Sequence, residues 1–442
     1  MKVSSRFFVQ FILLLSVFST PNEVLIVEAF TGTYGINYGR IADNIPSPDE
    51  VVTLLKAAKI KNVRIYDADH SVLKAFSGTG LDLVVGLPNE YLKDMSTNAD
   101  HALTWVKENV EAFLPQTRIR GIAIGNEVLG GGDQGNWEAL MGAVKNVYNA
   151  TKELRLADVV QLSTAHSQAV FANSYPPSSC IFKDTVVQYM KPLMEFFSQI
   201  GSPFCLNAYP FLAYMGNPDE IEINYALFKS NKGIYDPKTD LRYDNMLDAQ
   251  IDAAYAALED AGFKKMEVIV TETGWASHGD QSEAAATADN ARTYNFNLRK
   301  RLAKKKGTPL RPKTTLKAYV FAIFNENLKP GPGSERNFGL FKADGSISYD
   351  IGFDGLKSSS AASSFGSLKL FTRLPSKVYA HQISLRSSGK QIQTFVQLQQ
   401  PNLFPITWGN SDICARRINS CTKLLVKCHV YYLHATTKIS LS

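Results

Sequence analysis

Cysteine is scarce. The 442 residues hold five, Cys180, Cys205, Cys414, Cys421 and Cys428, and only the first two fall in the body of the sequence. A disulfide framework is therefore excluded as the source of the fold, while a single Cys180–Cys205 pair stays open. Zinc-type spacing is missing too, and the seven histidines are scattered without an H-x-x-x-H pair, so no metal is expected. After the first twenty residues no run is long and apolar enough to span a bilayer. Acids are nearly absent from one end. Residues 357–442 hold eleven Lys or Arg and one acid, Asp412, a net +10, whereas the first 356 residues hold 36 basic and 40 acidic residues, a net −4. The overall +6 thus comes from a terminal segment and not from a basic face on the body, which excludes nucleic acid as the main partner. No protein partner is inferred, and a monomer is expected.

The N-terminus carries a leader pattern. Lys2 and Arg6 precede an apolar run from Phe7 to Phe18, too short for a typical spanning helix of about 20 residues. Cleavage after Ala29, with Val27 at the −3 position, fits a secretory signal over residues 1–29; a membrane anchor is the alternative reading. Secretion gives meaning to Asn149-Ala150-Thr151, a glycosylation sequon with Asn149 as acceptor. Residues 358–367, SSSAASSFGS, read as a linker, and the basic remainder to Ser442 as a poorly patterned tail expected to be largely disordered.

Between leader and linker, short apolar runs alternate with amphipathic stretches. The runs are Thr33–Tyr38, Val63–Tyr66, Leu81–Leu87, Gly121–Gly125, Val159–Ala165, Phe204–Tyr209, Glu267–Thr271 and Lys317–Ala322. Continuous apolar runs of this length suit parallel strands covered on both faces. Helical spacing falls at Pro48–Ala58, with Ser47 as N-cap, and at Ala102–Phe113, Trp137–Leu154, Val186–Ile200, Asn245–Leu258 and Ala284–Leu302. Eight strand–helix units predict an α/β fold, a (β/α)₈ TIM barrel, over residues 30–356. An open doubly wound sheet is the runner-up, but the first strand, YGINYG at 34–39, lacks the G-x-G-x-x-G spacing of a nucleotide loop, and no cofactor is expected.

Catalytic groups of such barrels sit at the C-terminal ends of strands. Two of the apolar strands end in a carboxylate: the fourth in Gly125-Asn126-Glu127 and the seventh in Thr271-Glu272-Thr273-Gly274-Trp275. A lone glutamate there is more often a solvated or ion-paired residue. Two of them facing one mouth suit glycosidic bond cleavage, where one carboxyl must donate a proton and the other must stay ionised. Glu326, Lys329 and Glu335 form a third charged group after the eighth strand. Asn37, Tyr38, Tyr66, Tyr209, Phe211, Trp275 and Phe338 flank strand ends, and as a set they suggest a groove for stacking sugar rings, although core packing is as good a reading for any one of them. His70, His166 and His278 lie near strand ends without an obligatory role beside a carboxylate pair.

These stretches resemble the plant glucan endo-1,3-β-glucosidases of glycoside hydrolase family 17. The resemblance covers residues 31–356 and rests on YGINYGRIADNIPSP (34–48), VRIYDAD (63–69), GIAIGNEV (121–128), NAYPF (207–211), VTETGWAS (270–277) and YVFAIFNENLKPGPGSERNFGLF (319–341). It implies a (β/α)₈ barrel and a retaining mechanism with Glu127 as acid/base and Glu272 as nucleophile, the two carboxyls about 5–5.5 Å apart. It places Glu326, Lys329 and Glu335 beside that pair as electrostatic support, and Asn126 on the sugar 2-hydroxyl. The implied substrate is β-1,3-glucan of callose or laminarin type. A mixed 1,3;1,4-glucanase and a catalytically silent wall-glucan binding protein are the alternatives. The three tail cysteines are too few for the Cys-rich module that many relatives carry, and Lys423, Lys427, His429 and Lys438 interrupt the apolar end that a lipid-anchor signal requires. Free secretion to the wall space is therefore expected, with an anchored form as the alternative.

Overall fold

The computed structural model describes residues 28–352. The leader before residue 28, and the linker and tail after residue 352, lie outside the described residues. Within them the eight apolar runs are all strands: β1 (Tyr34–Asn37), β2 (Asn62–Arg64), β3 (Asp82–Leu87), β4 (Arg118–Asn126), β5 (Gln161–His166), β6 (Phe204–Asn207), β7 (Val268–Thr273) and β8 (Ala318–Val320). Every neighbouring pair is parallel, and β1 pairs with β8 as well as β2, so the sheet closes into a barrel. Closure disposes of the open-sheet alternative.

The helices in chain order are α1 (Pro48–Ala57), α2 (His70–Ala75), α3 (Leu92–Thr97), α4 (Ala99–Asn109), α5 (Gln134–Glu153), α6 (Asp184–Gln199), α7 (Pro210–Gly216), α8 (Ile223–Ala226), α9 (Met246–Asp260) and α10 (Ala288–Ala303). The six longest are those whose periodicity the sequence displays. The four short ones have too few turns to show a face, and α2 is announced by its cap: Asp69 accepts from the N–H groups of Ser71 and Val72. At the start of α1, Glu50 Oε2 accepts from Ser47 N at 2.9 Å and Ser47 Oγ at 2.8 Å, which ties the first turn to the chain entering it. Two antiparallel hairpins, Phe171–Asn173 with Ile181–Phe182 and Ile234–Asp236 with Leu241–Tyr243, are built into the β5–α6 and β6–α9 connections.

Apolar side chains pack in two places. The large core lies between the helices and the barrel wall, and a smaller cluster fills the interior, where Val84, Ala123, Ile269 and Tyr319 converge on Phe30. The Phe30 ring meets the edge of Tyr319 with centroids 4.5 Å apart. Thr31 N donates to Asn62 Oδ1 at 3.0 Å, at the N-terminal end of β2, so this segment stoppers the face opposite the catalytic mouth. Cys180 and Cys205 are both free and buried. Burial pushes their thiols up to about 12 and about 11, which keeps them protonated and inert. Asn149 sits on the exposed side of α5, while Thr151 of the same sequon is buried with its hydroxyl donated to the Tyr148 carbonyl at 2.7 Å.

One buried acid gives the outer shell a pH dependence. Asp252 on α9 is fully buried and accepts from Leu310 N at 2.8 Å, and burial raises it to about 7. Its native form therefore resists ionisation more than the unfolded chain does. Its contribution to stability is fullest below the usual carboxylate value of 3.8 and declines as pH climbs to about 7. Denaturation midpoints measured across that window should fall for the parent protein and flatten in Asp252→Asn, with a difference of a few kcal/mol, on the order of 1.4 per pKa unit.

Candidate active site

The last residues of β4 take two unusual turns. Gly125 and Glu127 both have left-handed backbones, with φ of +67° and +52°. A Cβ at Gly125 would lie 2.7 Å from Val128 Cγ2, so glycine is required there on two counts. At Glu127 the left-handed conformation costs about 1–2 kcal/mol. Neighbours offset it: Asn89 brackets the preceding residue, accepting from Asn126 N at 2.8 Å and donating to the Asn126 carbonyl at 3.0 Å, and Glu127 N donates to the Ala165 carbonyl of β5 at 2.9 Å. The twist aims the Glu127 side chain into the barrel mouth. On β7 the register with β6 shifts between Val270 and Glu272, so that the successive residues Thr271 and Glu272 both reach the site.

Beneath the mouth lies Arg64, the last residue of β2, whose side chain is 2% exposed. Its fork divides: Nη1 donates to Glu272 Oε1 at 2.8 Å and Nη2 to Asn126 Oδ1 at 2.8 Å. Its guanidinium carbon is 4.6 Å from the centre of the Tyr66 ring. Glu272 takes two more hydrogen bonds, from Tyr66 Oη to Oε1 at 2.7 Å and from Tyr209 Oη to Oε2 at 2.8 Å. Burial first, and then the Glu272 charge, hold both phenols well above their ordinary value, so they remain donors. Among the described residues the Glu127 carboxyl has a single side-chain hydrogen-bond partner, Asn207 Nδ2 at 2.8 Å from Oε1. Burial and then the charge of Glu272 raise its pKa above the ordinary carboxylate value, against smaller opposing effects of Asn207, Arg64 and Lys329.

The two carboxylates border a cleft of about 960 Å³ that also exposes Asn126, Tyr38, Tyr66, Tyr209, Phe338, Glu326, Lys329 and Glu335. Glu326 is buried, and burial raises its pKa, opposed by the Ile41 N–H that it accepts at 2.9 Å and by Lys329. A Cβ at position 39 would come within 2.5 Å of Glu326 Oε1, which explains Gly39. Lys329 pairs with Glu335 at 3.0 Å and rests 4.3 Å over the Phe321 ring.

Two expected platforms are corrected. Phe211 and Trp275 are fully buried and pack edge to face with centroids 5.3 Å apart, and Trp275 Nε1 donates to the Ala285 carbonyl at 2.8 Å. They support the cleft wall from behind and do not border it, because the chain after each strand end turns these rings into the helix layer. Asn37 is also buried and donates to the Thr271 carbonyl at 3.1 Å. None of the three histidines borders the cleft: His70 bonds Asn109 at 3.0 Å, His166 is fully buried against Phe204 and depressed to about 3 by burial, and His278 is exposed. Sequence reasoning missed Arg64, Asn207, Thr271 and Phe321, and also Arg40, which reaches the cleft rim in ion pairs with Asp67 and with Asp69. Arg64→Lys keeps the charge but loses the planar fork whose two nitrogens serve Glu272 and Asn126 separately. Steady-state assays should show kcat on glucan falling on the order of 10²-fold.

With this geometry in place, comparison with known proteins is informative. The family model "Glycosyl hydrolases family 17" matches residues 34–353. Glucan endo-1,3-beta-glucosidases 11 and 14 of Arabidopsis thaliana are each 48% identical to the chain, over 75% of it and 78% of the first relative, and over 73% of it and 82% of the second. Among solved structures, CJP38, a beta-1,3-glucanase and pollen allergen of Cryptomeria japonica, is 38% identical with a TM-score of 0.70, covering 73% of this chain and 99% of that one. A structure from a study of two plant beta-glucan endohydrolases with distinct substrate specificities is 35% identical with a TM-score of 0.67, covering 72% of this chain and all of the other. A closed barrel, a carboxylate pair at the ends of β4 and β7, and these matches agree: the chain belongs to glycosyl hydrolases family 17.

Proposed function

We propose that the protein cleaves internal β-1,3 linkages of glucan with retention of configuration, Glu127 serving as acid/base and Glu272 as nucleophile. The observation that carries this reading is the contrast between the two carboxyl groups. Glu272 accepts three hydrogen bonds, from Arg64, Tyr66 and Tyr209, so its surroundings treat it as an acceptor. Glu127 has one donor, and burial beside Glu272 favours its protonated form. One group is thus suited to attack and the other to donate.

In the first step Glu272 Oε2, the oxygen with one donor rather than two, attacks the anomeric carbon. The glycosidic C–O bond breaks and its electron pair takes the Glu127 proton. In the second step Glu127 removes a proton from water, whose oxygen displaces Glu272. Asn126 spends its carbonyl oxygen on Arg64 and Asn207, which leaves its amide N–H for the sugar 2-hydroxyl. The polymer's rings lie along Tyr38, Tyr66, Tyr209 and Phe338, and Glu326, Lys329 and Glu335 set the charge at one side of the cleft. Relatives named as glucan endo-1,3-beta-glucosidases support the 1,3 linkage. Residues 30–356 form the catalytic unit, residues 1–29 direct it out of the cell to the wall space, Asn149 is glycosylated on the way, and the protein acts as a monomer.

Product stereochemistry and linkage decide the matter. Laminarin digested by the purified protein should release β-anomers first in proton NMR, and barley-type mixed-linkage glucan should be a poorer substrate. The reverse preference would identify a mixed-linkage enzyme, and laminarin binding without release of reducing sugar would identify a binding protein. Glu272→Ala should lose ~10³-fold or more of kcat while still binding laminarin. Because Glu127 must start protonated, the rate should fall as pH rises through its elevated pKa, and this basic limb should vanish in Glu127→Gln.

A further inference from the structure

Arg64 has donors only, and this gives the buried hydrogen bonds around the acid a direction. Because Nη2 of Arg64 donates to Asn126 at 2.8 Å, the atom that Asn126 presents must be its carbonyl oxygen. Asn207 approaches that same oxygen at 3.3 Å, so it must present its NH₂ side. The amide's second N–H then points at Glu127 Oε1, 2.8 Å away. On its other side the Asn207 carbonyl oxygen faces the Thr271 hydroxyl at 2.7 Å, which donates to it. Reversing the Asn207 amide would set oxygen against oxygen at both Asn126 and Glu127. Asn207 and Thr271 are buried, so water is poorly placed to substitute for a missing partner. Both hydrogens and the oxygen of the Asn207 amide are thereby engaged, and its orientation follows from its neighbours.

We propose that Asn207, anchored by Thr271, is a positioning residue that reserves Oε1 of Glu127 as an acceptor and leaves Oε2 to carry the proton to the glycosidic oxygen. The inference rests on Glu127 being the acid/base. A carboxyl proton on Oε1 would point at an N–H donor, whereas Oε2 has no such donor among the described side chains. The charged and titratable groups facing Glu127 are Glu272 from β7, Arg64 from β2, Lys329 after β8 and Tyr209 after β6. Each acts on the carboxyl as a whole, and among the described side chains Asn207 alone distinguishes its two oxygens through a hydrogen bond. An N–H donated to a carboxylate also favours the ionised form, so loss of this bond raises the Glu127 pKa.

The test uses Thr271→Val, which keeps the shape and removes the hydroxyl, Thr271→Ser, which keeps the hydroxyl, and Asn207→Ala. Two substrates are compared: laminarin, whose leaving group needs the proton, and a dinitrophenyl β-glucoside or laminaribioside, whose leaving group does not. Thr271→Val should lose about tenfold in kcat/KM on laminarin, with little loss in the glycosylation step on the aryl substrate. Its basic limb should move to higher pH. Thr271→Ser should restore both the rate and the limb. Asn207→Ala should reproduce the Thr271→Val behaviour, and the double variant should add nothing to it. Equal losses on both substrates, an unmoved basic limb, or additive losses in the double variant would overturn the proposal. Azide rescue of Glu127→Ala on the aryl substrate separates the two levels. If azide fails to restore turnover as a β-glycosyl azide, the acid/base assignment itself falls. If azide succeeds and the limb of Thr271→Val stays where it was, only the role of Asn207 falls.

Discussion

A positive charge buried beneath the mouth of the barrel governs the arrangement above it. Arg64 is 2% exposed, and a guanidinium so far from water is tolerable only when its N–H groups meet acceptors and its charge meets a counter-charge. Glu272 supplies the charge and Asn126 the second acceptor. Glu272 is the penultimate residue of β7 and Asn126 the last of β4, so the fork of one side chain from β2 joins three strands and ties the proposed nucleophile and the residue preceding the proposed acid to a common anchor. The Tyr66 ring closes the arginine on one side, and its hydroxyl returns to the same carboxylate.

From that anchor the two glutamates diverge in character although their chemistry is the same. Glu272 is surrounded by donors from β2, from the loop after it and from the loop after β6. Glu127 is held mainly by its backbone, through a left-handed residue and the Asn89 bracket, and its side chain keeps a single polar partner. Separate environments for two carboxyls in one cleft are how a retaining glycosidase obtains an acid and a nucleophile from a single residue type. The strain at Glu127 and the register shift in β7 are local departures from regular strand geometry at the two places where the proposed chemistry needs a side chain aimed inward.

The barrel was legible because parallel strands covered on both faces must be apolar throughout, and the eight runs stand out against the intervening helices. Their ends differ by at most three residues, as the hydrogen-bonded ladder stops where loops begin to turn. Glu127 and Glu272 were legible because each interrupts an apolar run at its C-terminal end. Arg64 was not. A charged residue in a three-residue strand reads as a solvated position, since unpaired arginine is seldom buried, and only the three-dimensional meeting with Glu272 removes that objection. Asn207 and Thr271 were hidden for the same reason, as their partners lie 64 to 81 positions away in sequence. Phe211 and Trp275 show the converse error: proximity to a strand end does not say which way a ring faces, and both rings face the helix layer.

Phe30 adds a consequence for traffic through the site. Its ring, wedged among Val84, Ala123, Ile269 and Tyr319, closes the lower end of the barrel. The cleft that holds Glu127 and Glu272 opens at the opposite end, so the sugar chain, the departing fragment and the incoming water meet there. In the proposed mechanism Glu272 attacks from behind the bond being cut, and water takes the place that the leaving fragment gives up. In the proposed double displacement departure comes first, then entry of water, and any sugar hydroxyl that reaches the vacated place before water competes with it for the same carbon.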